Sequence, residues 1–230
     1  MSDSIFIKML KYRQYWDYNT ILVIVGGARI GKSWCACGLA ELLDPNFNKD
    51  KIIFSLKEFL KFVKSGKSCW LVFDEVGVTF SAYEWWSIEN RIFGHVTEAF
   101  GKLNINLILT LPSISMLSKQ GLAMTHYFIE MKRRGIGRIY LNYTIPIMGK
   151  RRVMTLGHLV GCSPTKKLWD SYEEKKMDFL NKKSDEWESL YKEHQLKGQL
   201  KAQRIISRSV ANEESQAYDE LLSKELDYKP

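Results

Sequence analysis

Apolar positions along this 230-residue chain gather into short blocks, and the polar stretches between them follow two different periods. Residues 21–25 (Ile-Leu-Val-Ile-Val) and 69–73 (Cys-Trp-Leu-Val-Phe) are continuous apolar runs and 104–110 is apolar at four of its seven positions, which marks strands buried in a sheet. A shorter run at 51–54 reads the same way. Residues 32–43, 56–64 and 84–101 space their apolar positions by three and four, which predicts helices. Strand and helix alternating in this manner predict a mainly parallel sheet covered by helices on both faces.

Beyond Pro112 the pattern changes. Residues 126–131 and 137–144 predict two strands joined by Arg133-Arg134-Gly135-Ile136-Gly137, a hairpin signal that adds an antiparallel edge to the sheet. From Lys166 to Tyr228 the chain is rich in Lys, Glu, Leu and Gln, which predicts two or more amphipathic helices with a break near Gly198. The expected organisation is therefore a body at 1–165 and a charged helical C-terminal extension at 166–230. No apolar run approaches the roughly 18 residues of a membrane helix, and residues 1–11 lack a secretory signal core, so a soluble, cytoplasmic protein is expected. The four cysteines, Cys35, Cys37, Cys69 and Cys162, have neither metal-site spacing nor a disulfide framework and are read as reduced and structural.

Charge sharpens this division. Residues 1–165 carry 21 Lys and Arg against 12 Asp and Glu, whereas 166–230 carry 13 against 14, so the excess of +8 belongs to the body. Its densest stretch holds Lys132, Arg133, Arg134, Arg138, Lys150, Arg151 and Arg152 with no acidic residue among them and Tyr140 and Tyr143 interleaved. Such a stretch suits either a polyanion-binding surface or a solvated basic hairpin.

The first strand runs directly into Gly26-Gly27-Ala28-Arg29-Ile30-Gly31-Lys32-Ser33, the pattern G-x-x-x-x-G-K-[ST]. Phosphate oxygens require several backbone N–H groups aimed at one point, which glycines and a helix N-terminus supply together. Gly26, Gly27, Ala28, Arg29, Ile30, Gly31, Lys32 and Ser33, with Trp34 next in line, form the expected nucleotide-binding set. Lys32 would reach the β- and γ-phosphates and Ser33 a Mg2+ ion. The strand at 69–73 ends in Asp74-Glu75, the form of a Walker B motif, with Asp74 suited to the metal and Glu75 to activating water. Asp74 to Gly77 also spells D-x-x-G, but Asn181-Lys182-Lys183-Ser184 fails the guanine-reading N-K-x-D pattern at its last position, which argues against a GTPase.

With these motifs the chain resembles the FtsK/HerA-like division of P-loop ATPases, which includes viral genome-packaging enzymes and zonular-occludens-toxin-like proteins of archaeal viruses and plasmids. The matching residues are Gly26 to Ser33, Phe54-Ser55 with Glu58-Phe59, Phe73 to Gly77 and Asn106 to Pro112, within about residues 20–145. The resemblance implies a P-loop NTPase three-layer α/β fold with an extra strand between loop and Walker B, assigned to 51–54. It implies ATP and Mg2+ as cofactors and a γ-phosphate sensor at the tip of the strand at 104–110, where Thr110 stands. FtsK-like members usually carry Gln there, and zonular-toxin proteins usually carry a membrane anchor that is absent from this sequence.

Such enzymes work as homo-oligomeric rings in which a neighbouring subunit supplies an arginine finger. Arg133 and Arg134 are the first candidates and Arg91 the next. Phe80 to Trp86, with Trp85 and Trp86, is an aromatic stretch suited to a pore, a core or a subunit interface. The function implied is an ATP-hydrolysing motor on double-stranded DNA, a translocation or genome-packaging ATPase of a virus or mobile element with a capsid or replication partner. The alternatives are a replication ATPase, an initiator or helicase loader, and a small-molecule kinase.

Overall fold

Ile21–Val25 forms β1, and Ile21 to Ile24 are buried with Val25 partly so, as its unbroken apolar sequence requires. The computed structural model describes residues 4–65, 69–74, 105–117, 119–145, 147 and 149–226. The expected helix at 84–101, together with Glu75, Phe80 to Trp86 and Arg91, lies outside them. Around β1 the chain runs through α1 (Ile5–Tyr15), α2 (Lys32–Leu43), β2 (Ile52–Ile53), α3 (Leu56–Ser65), β3 (Cys69–Phe73), β4 (Ile105–Leu111), α4 (Lys119–Met124), β5 (Tyr127–Arg133), β6 (Ile136–Ile145), β7 (Lys150–Val160) and α5 (Lys166–Leu226).

The strands make one seven-stranded sheet in the order β2-β3-β4-β1-β5-β6-β7. The first five are parallel neighbours, and β6 and β7 are antiparallel. This is a mainly parallel α/β sheet with an antiparallel edge and a C-terminal helix, the architecture expected from the sequence. The antiparallel part has one more strand than expected, because β7 (Lys-Arg-Arg-Val-Met-Thr-Leu-Gly-His-Leu-Val) opens on three cations that hide its alternation. The strand expected at 51–54 is present as the short β2. In the sheet β2 is the outer edge, and the strand lying between β1 and β3 is β4, which carries Thr110.

Period-two alternation sorts the core into two layers. Ile21, Val23, Leu71, Phe73, Leu107, Leu109 and Phe128 form one cluster with Phe59 of α3. The alternate residues face the other way, towards α1 and α2; there Trp70 donates its indole N–H to Gln14 of α1 (3.2 Å) and Phe6 packs edge-on to Tyr127 (5.4 Å). Helix α1 is an element that the sequence pattern did not announce, since only Phe6, Ile7 and Leu10 of its eleven residues are buried.

Ser55 caps helix α3, and Glu58 reaches back past it. Ser55 accepts the Glu58 N–H (3.2 Å) while Glu58 accepts the Phe54 N–H (2.8 Å), satisfying amide groups that the helix itself cannot. The C-terminal segment is one continuous helix, α5, and the break expected near Gly198 does not occur. The tertiary units divide at Lys175, so the first turns of α5 belong with the body. Beyond that point α5 carries Lys–Glu pairs one turn apart, such as Lys192–Glu188 (2.6 Å) and Lys197–Glu193 (2.6 Å), which support the helix on the turns before Gly198. No helix among the described residues is long and apolar enough to cross a membrane.

Candidate nucleotide site

The loop between β1 and α2 is shaped by backbone geometry that its sequence permits. Gly31 caps α2 in the left-handed region (φ 92°), and a Cβ there would lie 3.0–3.2 Å from Arg134. Arg29 also takes a positive φ (59°), and Gly27, Ala28 and Arg29 stand exposed at the loop's crest. The crest therefore adjoins the N-terminus of α2, the end of a helix that favours an anion. Lys32 reaches back across the loop, donating to the carbonyls of Gly26 (2.9 Å) and Gly27 (2.7 Å).

Sheet order brings the remaining groups together. Strands β3, β4 and β1 are neighbours in register, with Phe73 opposite Leu109 and Ile24 opposite Thr110. Asp74, one residue past β3, lies completely buried beside the first turn of α2. Its Oδ1 accepts the hydroxyls of Ser33 (2.7 Å) and Thr110 (2.6 Å), and its Oδ2 accepts the phenol of Tyr172 (2.6 Å). A buried carboxylate is costly unless hydrogen-bonded, and hydroxyls from α2, β4 and α5 meet that requirement here.

Tyr172 was not among the residues that the sequence singled out. It comes from the second turn of α5, whose start is docked on α2. Thr165 donates its N–H and hydroxyl to Glu41 (2.7 and 2.6 Å), and Gly38 admits the backbone of Ser163 and Pro164 so closely that a Cβ would stand 2.5 Å from a carbonyl carbon. The signal in the sequence is the pair Trp169 and Tyr172, aromatics three apart on a helix otherwise rich in charge. Tyr172 stacks on Trp169 (4.6 Å) and leans on Phe54 (6.2 Å). Burial foremost, then the neighbouring Asp74, push the phenol far above its ordinary pKa, so it remains a donor. Trp169 meets Trp34 edge-on (4.7 Å), and the guanidinium of Arg134 lies over the Trp34 ring (4.3 Å), tying the hairpin tip to the loop of the same chain.

Of the residues expected at the site, Gly26 to Trp34, Asp74, Thr110 and Arg134 come together. Arg133, next to Arg134, is exposed. A serine hydroxyl and a carboxylate in contact are the hard oxygen donors that Mg2+ takes, with phosphate and water completing its shell. Among the described residues no group of three or more His, Cys, Asp or Glu could hold a metal alone. Cys35, Cys37, Cys69 and Cys162 are all buried.

No family model matches this chain, and no curated protein matches it. Among solved structures, EssC (ATPases 2 and 3) from Geobacillus thermodenitrificans is similar, with a TM-score of 0.42 and 10% identity over 72% of this chain. The match takes in 45% of the EssC chain, so this protein corresponds to less than half of it.

Proposed function

We propose that this chain is a Mg2+-dependent P-loop ATPase that moves DNA. The observation that carries this reading is the convergence of Ser33 and Thr110 on one buried carboxylate, Asp74, beside the loop of Lys32, at the ends of adjacent strands. The loop amides and Lys32 hold the triphosphate, while Ser33 and Asp74 hold Mg2+, which when bound offsets phosphate charge. Thr110 lies on the strand between the loop and Asp74, where a hydroxyl can follow the state of the γ-phosphate. Glu75 follows Asp74 directly in sequence and is assigned the orientation of the attacking water.

Transition-state charge calls for a cation from a neighbouring copy, which makes the working form a homo-oligomeric ring. Arg134 is engaged with the Trp34 of its own loop, so Arg133 is the better finger. The basic face of the antiparallel strands supplies the DNA contact, and translocation or genome packaging for a virus or mobile element, in the cytoplasm of the host, is the task that unites these parts.

Lys32→Ala tests the site: it should fold as the parent does and lose ATP turnover by about a hundredfold or more, since the lysine is a partner of phosphate charge and not of the core. Parental hydrolysis in this variant sinks the assignment. Rates measured with and without double-stranded DNA test the motor, which requires stimulation, whereas a small-molecule kinase is indifferent to DNA.

A further inference from the structure

The carboxylate of Asp74 is anchored on both oxygens by groups distant in sequence. Ser33 and Thr110 share Oδ1, and Tyr172 holds Oδ2. A carboxylate held through one oxygen can still rotate about its Cβ–Cγ bond, a torsion with broad preferences. Held through both, it has one orientation. The group that fixes Oδ2 is itself fixed: Tyr172 is buried, stacked on Trp169 and set against Phe54, on a helix start seated by Thr165 on Glu41. Lys175, one turn on, adds an ion pair with Glu58 (3.4 Å) and hydrogen bonds to the carbonyls of Lys49 (3.3 Å) and Ile52, which fastens this turn to β2 and α3.

We infer that Tyr172 is a positioning residue of the nucleotide site: its phenol sets the orientation in which Asp74 meets Mg2+, making the first turns of the C-terminal helix a structural wall of that site. This rests on the reading of Ser33 and Asp74 as the metal-holding pair. Partners that orient a metal ligand typically govern metal affinity by ten- to a hundredfold when removed. Tyr172 meets Asp74 and Ser33, the two groups read as holding the metal, so its influence is expected on the metal-dependent part of binding.

The test uses the full chain and Tyr172→Phe, which keeps the ring, the stack and the buried volume and removes only the hydroxyl. ADP binding is measured by calorimetry in EDTA and again in a Mg2+ titration. The expected result is unchanged ADP affinity in EDTA, within about twofold, and a rise of about tenfold in the Mg2+ concentration that gives half of the metal-dependent gain. The Mg2+ requirement of ATP turnover should shift with it. If the parent shows a Mg2+-dependent gain and the variant reproduces it at the same concentration, Tyr172 only packs and the inference is overturned. Tighter Mg2+ binding by the variant also overturns it, because the phenol would then obstruct the site. If the parent shows no Mg2+-dependent gain, the metal reading falls and takes this inference with it.

Discussion

Asp74 and the pair Arg151–Arg152 are charged groups of one sheet treated in opposite ways. Asp74 is completely buried and takes hydroxyl hydrogen bonds from α2, β4 and α5. Arg151 and Arg152 are exposed on the outermost strand, opposite Thr144 and Tyr143. A buried charge must be met by fixed partners, so its surroundings are determined by the fold; a solvated charge needs none, so its surroundings say little about its purpose. The difference teaches where a structure speaks about function. Around Asp74 geometry constrains the reading closely. Along β7 it allows two, since charges on an edge strand discourage unwanted strand pairing as well as attract polyanions.

The largest expected effect lies on the buried side. Gly38 is the point where the start of α5 touches α2, with Ser163 and Pro164 backbone atoms 2.5–2.9 Å from any added Cβ. Alanine would gain somewhat less than 1 kcal/mol of helix propensity, yet a backbone contact this short must be relieved by moving one element. Gly38→Ala is expected to lose about 3 kcal/mol net in urea unfolding, and to weaken Mg2+-nucleotide binding because Tyr172 moves with the displaced helix start. Parental stability would mean that α5 yields freely, and Asp74 would then be less firmly built in than the comparison holds.

That contact also marks the limit of what the sequence made legible. The loop from Gly26 to Ser33, the parallel strands and Asp74 were readable because phosphate binding and burial on both faces impose local patterns. Thr110 was read at the tip of a strand lying between the two motifs, and β4 does stand between β1 and β3; that position follows from sheet order, which no local pattern encodes. Tyr172 was missed for the same reason: it meets Asp74 across 98 positions of sequence, and what makes the meeting possible is a missing side chain, Gly38. Strand β7 was hidden by its solvent exposure, which removes the apolar alternation that a half-buried strand shows. Helix α5 was read as broken because Gly198 signals an end, whereas the Lys–Glu pairs one turn apart on the preceding turns favour continuation.

A smaller effect sharpens the comparison through pH. His126 is largely buried, and its Nδ1 accepts the N–H of Ile21 at the start of β1 (3.0 Å). Burial first, and then the nearby Arg13, lower its pKa to about 4. In the unfolded chain it titrates near 6.5, so between these values the unfolded state binds the extra proton and the folded state does not. Stability is therefore fully present above about pH 6.5 and is lost as pH falls towards about 4, by roughly 2 kcal/mol at pH 5. Chemical unfolding of parent and His126→Asn at pH 7.5 and 5 checks this. The parent's loss should be the steeper of the two, and equal losses would show that His126 is not held neutral by its burial.

The smallest effect on stability, and the sharpest test of the exposed side, comes from neutralising Arg151 and Arg152. Both stand in water on β7 opposite uncharged residues, so Arg151→Ala with Arg152→Ala should leave stability within about 0.5 kcal/mol of the parent. The two readings of the basic face part company in DNA binding. Phosphate contacts release counterions, so if both arginines touch the backbone, the logarithmic dependence of affinity on salt should become shallower by about two units. The loss should be the same for unrelated DNA sequences, and ATP turnover without DNA should be unchanged. An edge-protecting charge predicts the reverse: parental salt dependence, together with increased self-association of the double variant in sedimentation as the bare edge of β7 finds another strand. Parental salt dependence would therefore remove Arg151 and Arg152 from the DNA-binding face, while leaving the nucleotide site around Asp74 untouched.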